Sequence, residues 1–165
     1  MTTQLSTRCL LLACGNTLRE DDGVGPWLAA WAEERFDGEP ALRVLARQQW
    51  TPELAQDVAE AGAVIFIDCA TNFRAGEVKI GPAEPEAPRG AGLATHHVEA
   101  GELLALSEEL YSARPYTSLL LTVGAGSLEL REGFSGAVQA ALPEACELLE
   151  KTVRQLIAAA HSRPA

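Results

Sequence analysis

Apolar positions along the chain follow two different periods. The segment from Arg8 to Cys14 is an almost unbroken apolar run, as are Ala63 to Ile67 (AVIFI) and Ser118 to Val123 (SLLLTV). Runs of this kind mark strands buried on both faces. Leu42 to Ala46 (LRVLA) reads as a further strand, and Glu77 to Gly81 (EVKIG) alternates as a short edge strand does. Between these segments the period becomes helical. Pro26 stands where a first helical turn tolerates it, and Trp27, Leu28, Trp31 and Phe36 recur behind it at helical spacing. Thr51-Pro52 makes an N-cap and N1 pair for a helix reaching to about Glu60. Glu99 to Tyr111 is predicted helical, with Leu103, Leu106 and Leu110 on one face. The tail from Phe134 is also predicted helical, restarted at Pro143, with Leu148, Leu149, Leu156 and Ile157 turned inward. Residues 82–97, PAEPEAPRGAGLATHH, show no period, and loops this long in compact domains are usually functional or disordered.

Strands alternating with helices predict an α/β fold with a mostly parallel sheet covered on both faces. In such sheets ligands gather outside the carboxyl ends of the strands. Asn16 and an acidic cluster directly follow the first strand, Asp68 ends the third, and His96 and His97 close the long loop.

Length and charge narrow the picture. The 165 residues suit a single domain, 1–165, with no linker or internal repeat. A formal charge of −10 argues against a nucleic-acid backbone or an anionic membrane as partner, since both reward Lys and Arg. No apolar run approaches the roughly 20 residues of a membrane span. The opening MTTQLSTRCLLLACGN reads as a first strand rather than a signal segment, because Gly-Asn and acids stand where a cleavage site would be. Cys9, Cys14, Cys69 and Cys146 form no CxxC pair and are too sparse for a disulfide scaffold. The expectation is a cytoplasmic monomer.

The candidate chemistry lies in LLLACGNTLREDDGVGP. Glu20, Asp21 and Asp22 crowd together where a strand has ended and a helix is about to begin. Alone, such acids are explained as a solvated turn favouring the positive end of the helix. Asp68 alone is explained by capping backbone amides, and the histidines as ordinary loop residues. Together, two acids and an imidazole on one rim make a mixed O/N donor set suited to a borderline divalent ion such as nickel or zinc. Three protein ligands leave coordination positions open, as a working site requires. CGNTLREDDG is not GxGxxG, and neither a GxSxG elbow nor a Walker lysine is present, so no organic cofactor is expected. Cys14 and Cys69 read as small buried residues, with the nearby negative charge raising their thiol pKa values.

The stretch LLLACGNTLREDDGVGPWLA resembles the opening signature of the hydrogenase maturation proteases, Gly-x-Gly-Asn-x-Leu-x-x-Asp-(Asp/Glu)-Gly-x-Gly after the first strand. The strand-ending Asp of VIFIDCA, the His before a Leu-rich helix in THHVEAGELLALSEEL, and the final AALPEACELLEKTVRQL agree with it in order along nearly the whole chain. Ala13 replaces the first signature glycine, and ARQQWTPELA stands where many members carry an Asp-Gly-Gly-Thr turn. The resemblance implies a twisted five-stranded sheet between helices and an aspartic-type endopeptidase. Its substrate would be the nickel-loaded precursor of a nickel–iron hydrogenase large subunit, which loses a C-terminal extension. It also implies that Asp22, Asp68 and His96 occupy the metal-contacting positions, with nickel supplied by the substrate; His97 is the alternative to His96. A non-proteolytic nickel-binding or assembly-chaperone module would keep the same rim residues, and a plain α/β domain with an acidic loop would use none of them.

Overall fold

The computed structural model describes residues 7–87 and 98–162; His96 and His97 lie outside them. Five strands, β1 (Thr7–Cys14), β2 (Leu42–Arg47), β3 (Ala61–Ala70), β4 (Val78–Pro82) and β5 (Thr117–Gly124), form one sheet in the order β2-β1-β3-β5-β4. Every neighbouring pair is parallel except β4 with β5, so the edge strand read from EVKIG is the antiparallel one.

Alternate residues of the central strands feed two separate cores, which is why their sequences carry no polar face. Cys9, Leu11, Ala13, Ile65, Ile67, Leu121 and Val123 pack beneath α1 (Val24–Arg35) and α4 (Gly136–His161). Leu10, Leu12, Val64 and Phe66 pack beneath α2 (Ala55–Glu60) and α3 (Ala100–Tyr111). The result is the expected three-layer α/β sandwich. Among the described residues no helix is long and apolar enough to cross a membrane.

The helices depart from the periodicity reading in instructive ways. In α1 the buried side is Val24, Gly25, Leu28, Ala29 and Ala32, while Trp27 is exposed and Phe36 falls beyond the helix. Small residues bring α1 close to the sheet, and the large ring is left outside, edge-on to Phe134 at 6.2 Å. Thr51 makes no side-chain cap; Pro52–Leu54 form a single 3-10 turn before α2. Helix α3 is capped by Glu99, whose side chain takes the Glu102 amide while Glu102 reaches back to the Glu99 amide. Its buried face is Ala100, Leu103, Leu104 and Ser107, leaving Leu110 exposed.

Helix α4 does not restart at Pro143. It runs unbroken from Gly136 to His161. An interior proline costs about 3 kcal/mol. Burying Val138, Leu142, Leu149, Val153 and Leu156 along one face offsets this, at about 1.5–3 kcal/mol for each large side chain. Leu148 and Ile157 are half-buried at the margins of that face.

Candidate active site

Strand order reverses between β1 and β3, the position at which open α/β sheets form a crevice beyond their carboxyl ends. A cleft of about 350 Å³ opens there, lined by Cys14, Asn16, Arg19, Asp22, Gln48, Gln49, Trp50, Asp68, Val98 and Glu99. A second cleft of about 370 Å³ shares Trp50, Asp68 and Glu99 and continues past Phe73, Glu84 and Thr122. Asp68 therefore stands where two arms of one groove meet. A larger hollow, about 670 Å³, lies against the outer face of α1 around Trp27 and Glu34 and contains none of the candidate residues.

The three consecutive acids go to three different places. Glu20 is buried at a left-handed φ of 42° and pairs with Arg131, whose carbonyl also receives the Glu20 amide at 2.9 Å. Asp21 is fully buried. Its Oδ2 accepts from the amides of Gly126 (2.7 Å) and Ser127 (2.9 Å) and from the Ser135 hydroxyl (2.7 Å), and its Oδ1 accepts from the Ser135 amide (2.7 Å). Burial alone would push the Asp21 carboxyl up, but the bonds from Ser135, Ser127 and Gly126 hold it below the ordinary range. Asp22 faces the cleft, and its Oδ2 accepts from the Asn16 amide at 2.7 Å. Asn16 in turn accepts from the Leu18 amide at 3.0 Å, closing the turn after β1.

Two glycines allow this packing. Gly15 has φ 151°, and a Cβ there would lie 1.8 Å from the Asp22 carbonyl oxygen. At Gly25 a Cβ would lie 2.4 Å from the Cys14 carbonyl oxygen and 3.3 Å from that of Ile67. Gly25→Ala must lift α1 off the ends of β1 and β3. It is expected to cost about 1–3 kcal/mol, read as a lower melting temperature.

Asp68 comes from the end of β3, next to Cys14 at the end of β1. Its Oδ1 accepts from the Cys14 thiol at 3.3 Å and from the Cys69 amide at 2.7 Å. Burial raises the Asp68 pKa to about 6; the Cys14 and Cys69 hydrogen bonds oppose this, and the charges of Asp22 and Glu99 add to it. Burial, followed by the Asp68 carboxylate, pushes the Cys14 thiol up, so it stays protonated, as its sequence setting predicted. The Cys69 thiol is also raised, again by burial first. Among the described residues no Lys or Arg forms an ion pair with Asp22 or Asp68. Nor do any three His, Cys, Asp or Glu side chains among them form a metal-holding group by themselves.

The structure thus brings Asp22 and Asp68 to one cleft, while His96 falls outside the described residues. It also adds groups the motif search passed over. Gln48, Gln49 and Trp50 follow β2, and the rule about strand ends could have selected them. Trp50 is buried against Phe66, their ring centroids 5.3 Å apart, and its indole N–H has no acceptor among the described residues. Glu99 reaches the cleft from the N-terminus of α3.

A scan against protein-family models finds no match to this sequence, and a search of curated proteins finds none. Solved structures do match. The hydrogenase maturating endopeptidase HybD from Escherichia coli superposes with a TM-score of 0.76 at 22% identity, covering 90% of this chain and 93% of that one. The [NiFe] hydrogenase maturation protease HybD from Thermococcus kodakarensis gives 0.66 at 24% identity, over 88% of this chain and 99% of that one. The HycI maturation protease from Thermococcus kodakarensis gives 0.62 at 22%, over 92% of each. At these identities the likeness establishes the fold.

Proposed function

We propose that this chain is an endopeptidase that removes a C-terminal extension from the nickel-loaded precursor of a nickel–iron hydrogenase large subunit, engaging the substrate's nickel through Asp22, Asp68 and His96. One observation carries the reading. Two carboxylates that no Lys or Arg among the described residues pairs with meet in the switch-point cleft, in a fold shared with proteins named as hydrogenase maturation endopeptidases. The opening motif resembles the signature of the same proteases. The place of His96 rests on that resemblance, with His97 as the alternative.

Burial is what chiefly makes ionisation of Asp68 costly, and the charge of Asp22 across the cleft adds to it. A substrate that carries its own divalent ion relieves that cost; a metal-free precursor does not. Discrimination then follows from the difference between the two complexes and needs no separate sensor. A substrate-bound nickel can polarise the scissile carbonyl or acidify a water, and a carboxylate at its side can take the proton.

The test is to incubate the protein with nickel-loaded and with nickel-free precursor and to follow the precursor's mass. Shortening of the loaded form alone is the expected result. A loaded precursor that keeps its full mass overturns the proposal, and stable capture without shortening would assign a holding role instead. His96→Ala is expected to abolish trimming and His97→Ala to spare it; the reverse pattern exchanges the two residues.

A further inference from the structure

Both hydrogen bonds given to the Asp68 carboxylate fall on the same oxygen. Oδ1 accepts from the Cys14 thiol at 3.3 Å and from the Cys69 amide at 2.7 Å, while Oδ2 has no donor among the described residues. The register explains how Cys14 reaches it. Ala13 pairs with Ile67 in the parallel β1–β3 ladder, so Cys14 and Asp68 are the next residues along. Leu12 and Phe66, two residues earlier on each strand, lie on the α2–α3 side of the sheet. Cys14 and Asp68 therefore project to that same side.

A carboxylate turns about its last torsion with little resistance. The Cys69 amide, from the adjoining peptide, anchors one oxygen but leaves the plane free to swing around it. A second donor from a different strand fixes the plane. We infer that Cys14 is a positioning residue, whose thiol clamps Oδ1 of Asp68 and leaves Oδ2 as the oxygen offered to the substrate. The inference rests on the reading of Asp68 as a working carboxylate. A thiol is a weak donor, but here it meets an ionisable acceptor, which strengthens the bond.

Three substitutions test it on the full chain. Cys14→Ala and Cys14→Val remove the donor and are expected to lower kcat for trimming by about 10–100-fold, the usual scale for a group that orients a working side chain. KM for the precursor and the melting temperature should stay near wild type. Cys14→Ser keeps a donor and is expected to retain most of the rate. Wild-type kcat in Cys14→Ala, or a loss in Cys14→Ser as deep as in Cys14→Ala, overturns the inference.

A second measurement does not depend on trimming. The Cys14 S–H stretching band, isolated by infrared difference against Cys14→Ala, should move to higher frequency in Asp68→Ala, where its acceptor is gone. An unmoved band overturns the clamp. A moved band in a protein that trims nothing keeps the clamp and removes the proposed function instead.

Discussion

Asp68→Asn is expected to melt above the wild type at pH 8 and to trim its substrate at least about a hundredfold more slowly, the scale on which loss of a single charge-stabilising group acts. The asparagine carbonyl can accept the two bonds that Oδ1 accepts from Cys14 and Cys69, so the local structure survives. What disappears is the charge. The folded-state pKa of about 6 lies above the roughly 3.9 of an unfolded aspartate. The folded protein therefore binds its proton more tightly, and wild-type stability declines as pH rises from about 4 through about 6, then stays level. At pH 8 the wild type carries the whole deficit, on the order of 3 kcal/mol, or up to about 10 °C in melting temperature. Near pH 4 both carboxamide and carboxyl are neutral, and the two melting curves should converge. Trimming by the wild type should likewise fade as pH drops below about 6. Equal melting temperatures at pH 8 would show that the Asp68 charge is not held at a cost.

Asp21→Asn, one residue from the other cleft carboxylate, is expected to do the opposite. Asp21 Oδ2 accepts from two amides and a hydroxyl, and Oδ1 from a third amide. An asparagine side chain has one acceptor oxygen, and its NH₂ must face donors whichever way it is flipped. Each buried donor left unpaired costs about 1–3 kcal/mol, so a total of about 3–5 kcal/mol is expected. For a chain of this size that is roughly 10 °C or more. The sign of the pH dependence is reversed. The Asp21 carboxyl is held below its ordinary range, so its contribution is complete above about pH 4 and disappears as pH falls through the depressed value. Urea titrations at pH 7 and pH 3 should show a wide wild-type-to-variant gap at the first and a smaller one at the second. A gap equally wide at pH 3 would mean that the cavity, and not the lost charge-assisted bonds, dominates.

The two aspartates also show where the sequence speaks and where it is silent. The sheet was legible because β1, β3 and β5 feed a core on each face, and that requirement writes itself as unbroken apolar runs. Asp68 was legible as a polar residue at the end of such a run. The separate fates of Glu20, Asp21 and Asp22 were not. The amides that hold Asp21 lie 105 to 114 residues further on, in the connection from β5 to α4, and no local period encodes them. Helix faces were misjudged where small residues set the approach: α1 buries alanines and a glycine and leaves Trp27 outside, against the rule that the largest apolar groups mark the inner side. Pro143 misled for a related reason, because a long buried face outweighs one missing hydrogen bond. Trp50 and Glu99 were not singled out by any residue pattern of their own; they reach the cleft because the β2–α2 loop and the start of α3 end on the same rim.

The divided acidic run has a consequence for how this segment can change. Removing one residue between Gly15 and Glu20 would slide Asp21 toward the seat that Arg131 closes and Asp22 into the ring of amides, taking the Asp22 carboxylate away from Asp68 while leaving overall composition almost untouched. The turn should accept new side chains at the outward-facing Leu18 readily, yet reject any insertion or deletion. Spacing, more than identity, is what this stretch of chain has to preserve.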